Sequence, residues 1–375
     1  MIARWLLAAL LVAPALVAQS APHWVGTWGC APQLVEPANM PPAPGLSGNT
    51  LRQVVRVTLP GRQVRVHLSN LFGDGPLTMQ SVRLPGGIVL FKGSPSVTIP
   101  AGEAITSDPL DYELAPMADL AITIAFGDAP AKLTGHPGSR KTSYLQTADA
   151  PPKPTTHWYV ITGIDTIAPA ASAEVIALGD SITDGRGSTT DGDDRWTDNL
   201  ARRLHANPAT AGITVLNEGL GGNAVLAGGL GPPAVDRFDR DVVNQNAPRW
   251  LILLEGVNDI GVSKSPAVAE NLIAAFRKFI EKARAHNIRV YGVPILPFTG
   301  SMYFTPEHEA ARQTVNAWIR SSGLFDAVID MDAAVRDPAD PSKLLPAYDT
   351  GDHLHPNQAG YQKMAEAVDL ALFRP

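Results

Sequence analysis

The chain has 375 residues, of which 45% are hydrophobic and 18% are charged, as is usual for a folded globular protein. This length is enough for about two domains. The 30 basic and 36 acidic side chains give a net charge of −6. No run of Lys and Arg stands out, and this argues against nucleic acid as a partner.

The N-terminus has the features of a secretory signal peptide. Arg4 precedes an apolar stretch over 5–17, and small residues follow at 18 and 20, the −3 and −1 positions of the predicted cleavage site. We therefore predict a signal peptide over 1–20 and an exported chain, periplasmic or secreted, that has no membrane contact after cleavage. The alternative is a membrane anchor, but the apolar stretch is shorter than the ~18 residues of a usual span. The only cysteine, Cys30, has no internal disulfide partner and is predicted to be a small buried hydrophobe.

The first part of the mature chain has the period of strands. Apolar residues alternate with polar ones over 55–59 and 64–68, on both sides of Pro60-Gly61, which predicts a β-hairpin. Gly, Pro and Asp separate the further short apolar runs, at 77–84, 88–91, 96–99, 120–126, 143–146 and 158–164. These runs predict an N-terminal β-sandwich (jelly-roll-like) domain over 21–170, which ends in a small-residue linker at 168–173.

From residue 174 strands alternate with helices. Apolar runs predict strands at 175–178, 214–216, 250–254, 290–293 and 327–329. Helical patterns lie at 196–204 and 357–370, and two more begin after Ser265 and after Thr305-Pro306. Ser265 is the predicted cap of its helix, with Pro266 at the first helical position. The alternation predicts an α/β domain over 171–375, with a parallel sheet covered on both faces.

Four polar or glycine-rich turns are expected to meet at one edge of that sheet. Three of them follow the first three strands, at 179–181, 217–223 and 255–259, and the fourth precedes the last helix, at 351–356. Ligands of open α/β sheets bind outside the carboxyl ends of the strands. This edge is therefore the predicted site.

The residues of these turns supply the groups that acyl transfer needs. Ser181 is the candidate nucleophile, His355 the base, and Asp352 the group that orients the histidine. The candidate donors for an oxyanion are the side-chain amide of Asn258 and the backbone N–H groups of Gly222 and Ser181.

Several residues of the turns have alternative interpretations. Ser181 or Asn258 could cap a helix, Gly222 could only permit a left-handed turn, and the His353/His355 pair could bind a metal. No third ligand cluster lies nearby in the sequence, so no metal is predicted, and His353 is interpreted as a wall or surface residue. Structural roles are expected for the acidic residues Asp180, Glu255 and Asp259.

Residues outside the four turns could also contribute to the site. Arg186, Asp194 and Arg195 follow the serine turn and could shape the pocket. Trp24, Trp28 and Phe72 of the β-sandwich could stack on sugars, although a buried position is the commoner fate of such aromatic residues.

Together the four turns resemble the sequence blocks of the SGNH (GDSL-type) hydrolases. Gly179-Asp180-Ser181 resembles the first block, Gly222 the glycine of the second, 256–259 the GxND block, and 352–356 the DxxHP block. The likeness is closest to the XynE-like branch of arylesterases and acylhydrolases. The resemblance implies a flavodoxin-like three-layer α/β/α domain and ester hydrolysis without a metal or other cofactor.

The sequence thus predicts an exported serine esterase. The resemblance and the export signal favour short-chain acyl esters, with acetyl groups on a plant polysaccharide such as xylan as the natural substrate. The alternatives are a lipase or thioesterase acting on longer acyl chains, a non-catalytic carbohydrate-binding protein, and a metal-dependent deacetylase. The partners are then small-molecule or polysaccharide esters, and the oligomeric state stays open.

Overall fold

The computed structural model describes residues 21–148 and 150–374. The predicted signal peptide, residues 1–20, lies outside this part of the chain. Within these two ranges, no helix is both long enough and apolar enough to cross a bilayer.

Residues 23–168 are called the β region below, and those of them that the structure describes form short strands and a single turn of 3₁₀ helix at Pro37–Asn39. Alternating burial along the longer strands follows from their alternating sequence, because successive side chains point to opposite faces of a sheet. The strands are β1 His23–Gly29, β2 Gln33–Leu34, β3 Thr50–Arg56, β4 Gly61–Ser69, β5 Leu77–Leu84, β6 Gly87–Val89, β7 Val97–Ile99, β8 Ala104–Thr106, β9 Leu110–Leu114, β10 Asp119–Phe126, β11 Thr134–His136, β12 Ser143–Gln146, β13 Lys153–Thr155, β14 Trp158–Tyr159 and β15 Ile161–Ala168.

These strands pair antiparallel in three sheets. The seven-stranded sheet has the order β13-β12-β3-β10-β5-β6, with β7 also on β5. The five-stranded sheet has the order β1-β15-β4-β8, with β9 also on β4, and the smallest sheet is β14-β11-β2. Side chains of both larger sheets share one buried apolar cluster, which includes Leu51, Val66, Ile122 and Ile164.

The predicted hairpin around Pro60-Gly61 is wrong. β3 pairs with β10 and β12, whereas β4 pairs with β15, β8 and β9, so the two strands belong to different sheets. Val57 and Leu59, between them, are themselves buried, because the chain crosses there from one sheet to the other. Alternation determines which side chains are buried, but it does not select the partner strand.

The end of the β region also differs from the prediction. The single strand expected at 158–164 is divided at Val160, which has a φ of +60°. Its second part, β15, continues to Ala168 and shortens the linker to residues 169–172.

Residues 173–373, the α/β region, contain the predicted alternation of strands and helices. The elements are β16 Ala173–Gly179, α1 Ser181–Asp184, α2 Trp196–Ala206, β17 Ile213–Gly219, α3 Ala234–Phe238, β18 Pro248–Leu254, α4 Val257–Val262, α5 Val268–Ala285, β19 Arg289–Gly292, α6 Pro306–Ser321, β20 Ala327–Val328, α7 Met331–Val335 and α8 Gln358–Glu366. The parallel strands have the order β17-β16-β18-β19-β20, which is the 2-1-3-4-5 order of flavodoxin-like sheets. The crossover from β16 to β17 and the crossover from β18 to β19 run in opposite directions along the sheet, so right-handed connections place α2 and α5 on opposite faces.

Two helix ends differ from the predicted ones. Ser265 does not cap α5, because its side chain accepts a hydrogen bond from the N–H of Ala267 (3.2 Å) and the helix begins at Val268. The last helix ends at Glu366, and a separate 3₁₀ turn follows at Leu370–Phe373. No bounds were predicted for the short helices α1, α3, α4 and α7, since helices of four to six residues show no clear apolar period.

The two regions meet along the edge strands β1 and β17. A single bridge joins Cys30, just after β1, to Asn217 of β17. The N–H of Gly26 donates to Oε1 of Glu174 (2.6 Å), and the hydroxyls of Thr58 and Thr214 are 2.6 Å apart. Each edge strand therefore covers the other, which protects both from pairing with foreign strands.

Candidate active site

The serine turn is built by a tight connection between β16 and α1. The Oδ1 atom of Asp180 accepts the N–H of Ile182 at 2.8 Å, so Asp180 is the N-cap and Ser181 is the first helical residue. Gly179 faces the side chain of Thr183 so closely that a Cβ would not fit there. Asp180 thus has the structural role that was expected, and Ser181 stands free of the cap.

The structure brings Ser181, His355 and Asp352 together. Oγ of Ser181 lies 2.8 Å from Nε2 of His355, and Nδ1 of His355 lies 2.7 Å from Oδ2 of Asp352. The other carboxylate oxygen, Oδ1, accepts the backbone N–H of His355 at 2.8 Å. A continuous chain of hydrogen bonds therefore runs from the hydroxyl through the imidazole to the carboxylate.

The surroundings keep the imidazole neutral and the carboxylate charged. Burial lowers the pKa of His355 below its ordinary value, although Asp352 opposes this effect, and the nearby charges of Arg186 and Arg140 lower it further. Burial alone would raise the pKa of Asp352, but the hydrogen bonds from His355 outweigh it and hold this pKa at about 2. A neutral imidazole beside a hydroxyl is the protonation state that a general base requires.

The predicted oxyanion donors line the same cavity as Ser181 and His355. The side chain of Asn258, in α4, donates one N–H to the carbonyl of Asn223 (2.7 Å) and accepts the hydroxyl of Tyr303 on Oδ1 (2.9 Å). These contacts fix the orientation of the amide and leave its second N–H available. Gly222 has a φ of +68°, which favours glycine, and Ser181 contributes an N–H of the first helical turn, where none has an intrahelical partner.

Tyr303 was missed by the sequence analysis. It lies in the connection between β19 and α6, far from the four turns in sequence, and it also lines the cavity. No motif marks it, so only the contact with Asn258 reveals its position.

The cavity has a volume of about 510 Å³ and lies between the two regions of the chain. The α/β region supplies the floor with the serine, the histidine and the candidate oxyanion donors. The β region supplies a wall, formed by Gln33, Glu36, Asn39, His136, Pro137, Gly138 and Arg140. The β region therefore contacts the space next to Ser181, which the sequence had left open.

Strand β11 and the loop that follows it also hold the serine turn in place. Nε2 of His136 lies 2.9 Å from Oδ1 of Asp184, and Nε of Arg195 donates to the carbonyl of Asp184 at 2.8 Å. The guanidinium of Arg195 further bonds the carbonyl of Ser139. Three residues were expected to shape the pocket. Arg195 acts through its bonds to Asp184 and Ser139, and Arg186 lines the cavity. Asp194 binds Thr189 and does not line the cavity.

His353 does not join His355. Its Nδ1 lies 2.6 Å from Oδ2 of Asp349, and its side chain is 54% exposed. Among the residues that the structure describes, no group of three His, Cys, Asp or Glu side chains is placed to hold a metal ion.

The other acidic residues of the turns are buried. Asp259 accepts the N–H groups of Val225 (2.8 Å) and Leu226 (2.9 Å) and so holds the glycine-rich turn. Burial raises the pKa of Glu255 well above its usual range, and the charge of Asp180 raises it further.

The three candidate sugar-stacking aromatics do not line the cavity. Trp28 is buried and packs edge-on against Trp158, with ring centroids 4.9 Å apart. Arg65 covers the ring of Trp24 at 4.4 Å, and Phe72 is partly buried.

An open parallel sheet with a hydrogen-bonded serine and histidine at its carboxyl edge is the architecture of an α/β hydrolytic enzyme. Residues 177–363 match the GDSL-like lipase/acylhydrolase family. The chain belongs to this family and is a carboxylic ester hydrolase. No curated protein sequence matches it.

Several solved structures resemble about half of the chain. An acetylxylan esterase of Geobacillus stearothermophilus, Axe2, is 22% identical with a TM-score of 0.41 over 52% of this chain and 91% of that one. A GDSL-like lipase of Bacteroides thetaiotaomicron is 20% identical with a TM-score of 0.40 over 53% and 87%. A lipolytic protein of the G-D-S-L family from Veillonella parvula is 21% identical with a TM-score of 0.40 over 54% and 98%.

Proposed function

We propose that the chain is an exported serine esterase of the XynE-like branch, which hydrolyses short-chain acyl esters, acetyl esters above all. The observation that carries the proposal is the 2.8 Å contact between Oγ of Ser181 and Nε2 of His355, at the carboxyl edge of the sheet. The hydrogen bond of His355 to Asp352 supports a Ser-His-Asp triad, because it holds the imidazole in the tautomer that accepts the serine proton.

The reaction proceeds in two halves. Oγ of Ser181 attacks the ester carbonyl while its proton passes to Nε2 of His355, and the oxyanion accepts hydrogen bonds from Ser181, Gly222 and Asn258. The imidazolium then gives its proton to the departing alcohol, which leaves an acyl-serine. Water attacks this intermediate with His355 as base, the carboxylic acid leaves, and the serine regains its proton.

The crowding next to Gly222 supports a small acyl group. The side chain of Leu230 lies over this glycine, and a Cβ added to it would be 3.2 Å from Leu230. Leu230 therefore occupies part of the space beside the candidate oxyanion donors. Acetyl groups on a plant polysaccharide such as xylan remain our candidate for the natural substrate, with the β region as a β-sandwich accessory domain that walls the site.

The proposal is tested by hydrolysis of aryl acetate by the purified mature chain, residues 21–375. We expect activity that is lost in Ser181→Ala, unaffected by a chelator, and retained in Ser321→Ala, since Ser321 lies on the exposed side of α6. Across a series of esters, kcat/KM is expected to decline as the acyl chain becomes longer than acetyl. Activity that survives Ser181→Ala would overturn the mechanism, and a preference for long chains would favour a lipase or thioesterase.

Export is tested separately. The full chain produced in a Gram-negative host is expected in the periplasm or the medium, cut near residue 20, and a chain without residues 1–20 is expected to stay inside. A full chain that remains uncut in the membrane fraction would support an N-terminal anchor instead.

A further inference from the structure

Two arginine side chains line the catalytic cavity without an acidic partner. Arg140 belongs to the β region and Arg186 follows the serine helix α1. Neither guanidinium forms a salt bridge or a hydrogen bond with any residue in 21–148 or 150–374, and Nε of Arg140 is buried as well. Arginine in a folded protein stays charged and usually binds a carboxylate or phosphate.

The acidic side chains of the cavity are already engaged. Glu36 accepts hydrogen bonds from the amides of Gln33 and Asn39, the latter at 3.0 Å. Asp184 pairs with His136, and Asp352 pairs with His355. The cavity therefore has two positive charges that no described residue neutralises.

Both arginines lie on the histidine side of the cavity. The residue after Arg186, Gly187, packs against Thr350 and the carbonyl of Pro356, which belong to the turn that carries His355. Together with Asp352, both arginines also line an adjoining shallow cavity of about 540 Å³. Their charges reach the imidazole, since both contribute to the lowered pKa of His355.

Two apolar residues line the cavity beside the candidate oxyanion donors. These are Leu230, close to Gly222, and Met302, next to Tyr303, which are 49% and 88% exposed. In ester hydrolysis the acyl carbonyl faces the oxyanion donors, while the histidine protonates the alcohol oxygen. The arginine side of the cavity is therefore the side of the alcohol.

We propose that Arg140 and Arg186 form a subsite for a carboxylate on the alcohol part of the ester, as a sugar acid presents. This inference rests on the proposed function, because it takes the direction of the leaving alcohol from the roles of Ser181 and His355. Two guanidinium groups on neighbouring loops can each bind one carboxylate oxygen, with charge-assisted hydrogen bonds that a neutral alcohol does not form.

The test compares two esters of nearly the same shape, 4-acetoxybenzoate and 4-acetoxybenzamide. The values of kcat/KM are measured at low ionic strength for the parent, Arg140→Gln, Arg186→Gln and the double variant. The control is Arg62→Gln, an exposed arginine in β4 that does not line the cavity. For each protein we take the ratio of kcat/KM on the two esters. Comparing this ratio between proteins cancels most of the difference in the intrinsic reactivity of the esters.

The parent is expected to use the anionic ester about 10- to 100-fold better than the double variant does, mainly through a lower KM. At a pH well above the acid limb of His355, kcat/KM of the double variant on the neutral ester is expected to fall much less than its kcat/KM on the anionic ester. Added salt should reduce the preference for the anionic ester in the parent and in Arg62→Gln, because it screens the charges of the arginines. It should not change the ratio of the two esters in the double variant.

Failure of this inference differs from failure of the proposed function. The subsite alone would be overturned if both esters were hydrolysed in a serine-dependent way and the ratio of kcat/KM on the two esters were the same in the parent and the double variant. An inactive parent, or activity on the neutral ester that persists in Ser181→Ala, would overturn the proposed function itself.

Discussion

Nε2 of His136 lies 2.9 Å from Oδ1 of Asp184, and both side chains are buried. The first residue belongs to the antiparallel sheets and the second closes the short helix that begins at Ser181. Nδ1 of His136 also lies 2.9 Å from the carbonyl of Ala31. The imidazole thus connects the framework of the β region directly to the helix that begins at Ser181.

We expect His136→Ala to reduce kcat on aryl acetate while changing KM little, because the helix that aims Ser181 loses a lateral support. The free energy of unfolding should fall by about 2 kcal/mol, as for loss of a buried hydrogen bond to a charged group. The matched control is His67→Ala, which breaks a 2.6 Å contact with Asp165 within the β region. This variant should lose stability but keep its kcat, and equal losses of kcat in both would contradict the positioning role.

Asp352→Asn is expected to lower kcat about 10³- to 10⁴-fold with little change in KM, because an amide neither fixes the required tautomer of His355 nor stabilises its protonated form. Single-turnover hydrolysis of aryl acetate measures the effect. His353→Gln is the control, since this neighbouring histidine is exposed and bonds Asp349 instead. A mild effect of Asp352→Asn would show that another group orients the base.

Asn258→Ala should lower kcat about 10²- to 10³-fold, as expected for loss of one oxyanion donor. Tyr303→Phe should cost less, about fivefold, since it removes only the hydrogen bond that orients the amide. Tyr144→Phe, in the exposed part of β12, serves as the control. If Tyr303→Phe were as damaging as Asn258→Ala, Tyr303 would itself have to contact the reacting group.

The lowered pKa of His355 predicts an acid limb of kcat/KM below the ordinary histidine range near 6.5. Activity needs the neutral imidazole, so a lower pKa extends activity to lower pH. Removal of a nearby positive charge in Arg186→Gln makes protonation of His355 easier, and its acid limb should move to higher pH. The pH profile on a neutral aryl acetate at low salt measures this shift, and a shift to lower pH in the variant would refute the assignment of the limb.

Glu255 offers a test of stability against pH. Both carboxylate oxygens are buried without a hydrogen-bond partner among the described residues, and burial raises the pKa well above 4.5. The folded state then binds more protons than the unfolded state above pH 4.5, so this group makes stability fall as pH rises toward its raised pKa. Glu255→Gln should flatten that decline in urea unfolding from pH 5 to 8, whereas an unchanged slope would mean that Glu255 does not titrate in this window.

Much of the site was predictable because its residues lie close together on short stretches of the sequence. Gly179-Asp180-Ser181 follows a buried strand, and Asp352 and His355 share a single turn, so their chemistry follows from spacing on a short stretch of chain. The rule that ligands bind at the carboxyl ends of parallel strands then predicts that these turns meet. The alternation of strands and helices after residue 173 likewise follows from apolar periodicity.

Strand pairing in the β region was not predictable in the same way. β3 and β4 have the alternation of a hairpin, yet they lie in different sheets, because burial of Val57 and Leu59 between them favours a crossing. Such a choice depends on contacts between residues distant in sequence. Periodicity records only which face of a strand is buried.

The sequence by itself therefore determined the type of α/β region and the residues at its serine, histidine and asparagine turns. Only the tertiary structure decided that His136 supports the serine helix, that Tyr303 orients Asn258, and that Arg140 and Arg186 flank His355. The physical reason is the same in each case. Spacing along a chain predicts contacts within a turn or across one sheet edge, whereas these contacts join segments that lie far apart in the sequence and come together only in the folded chain.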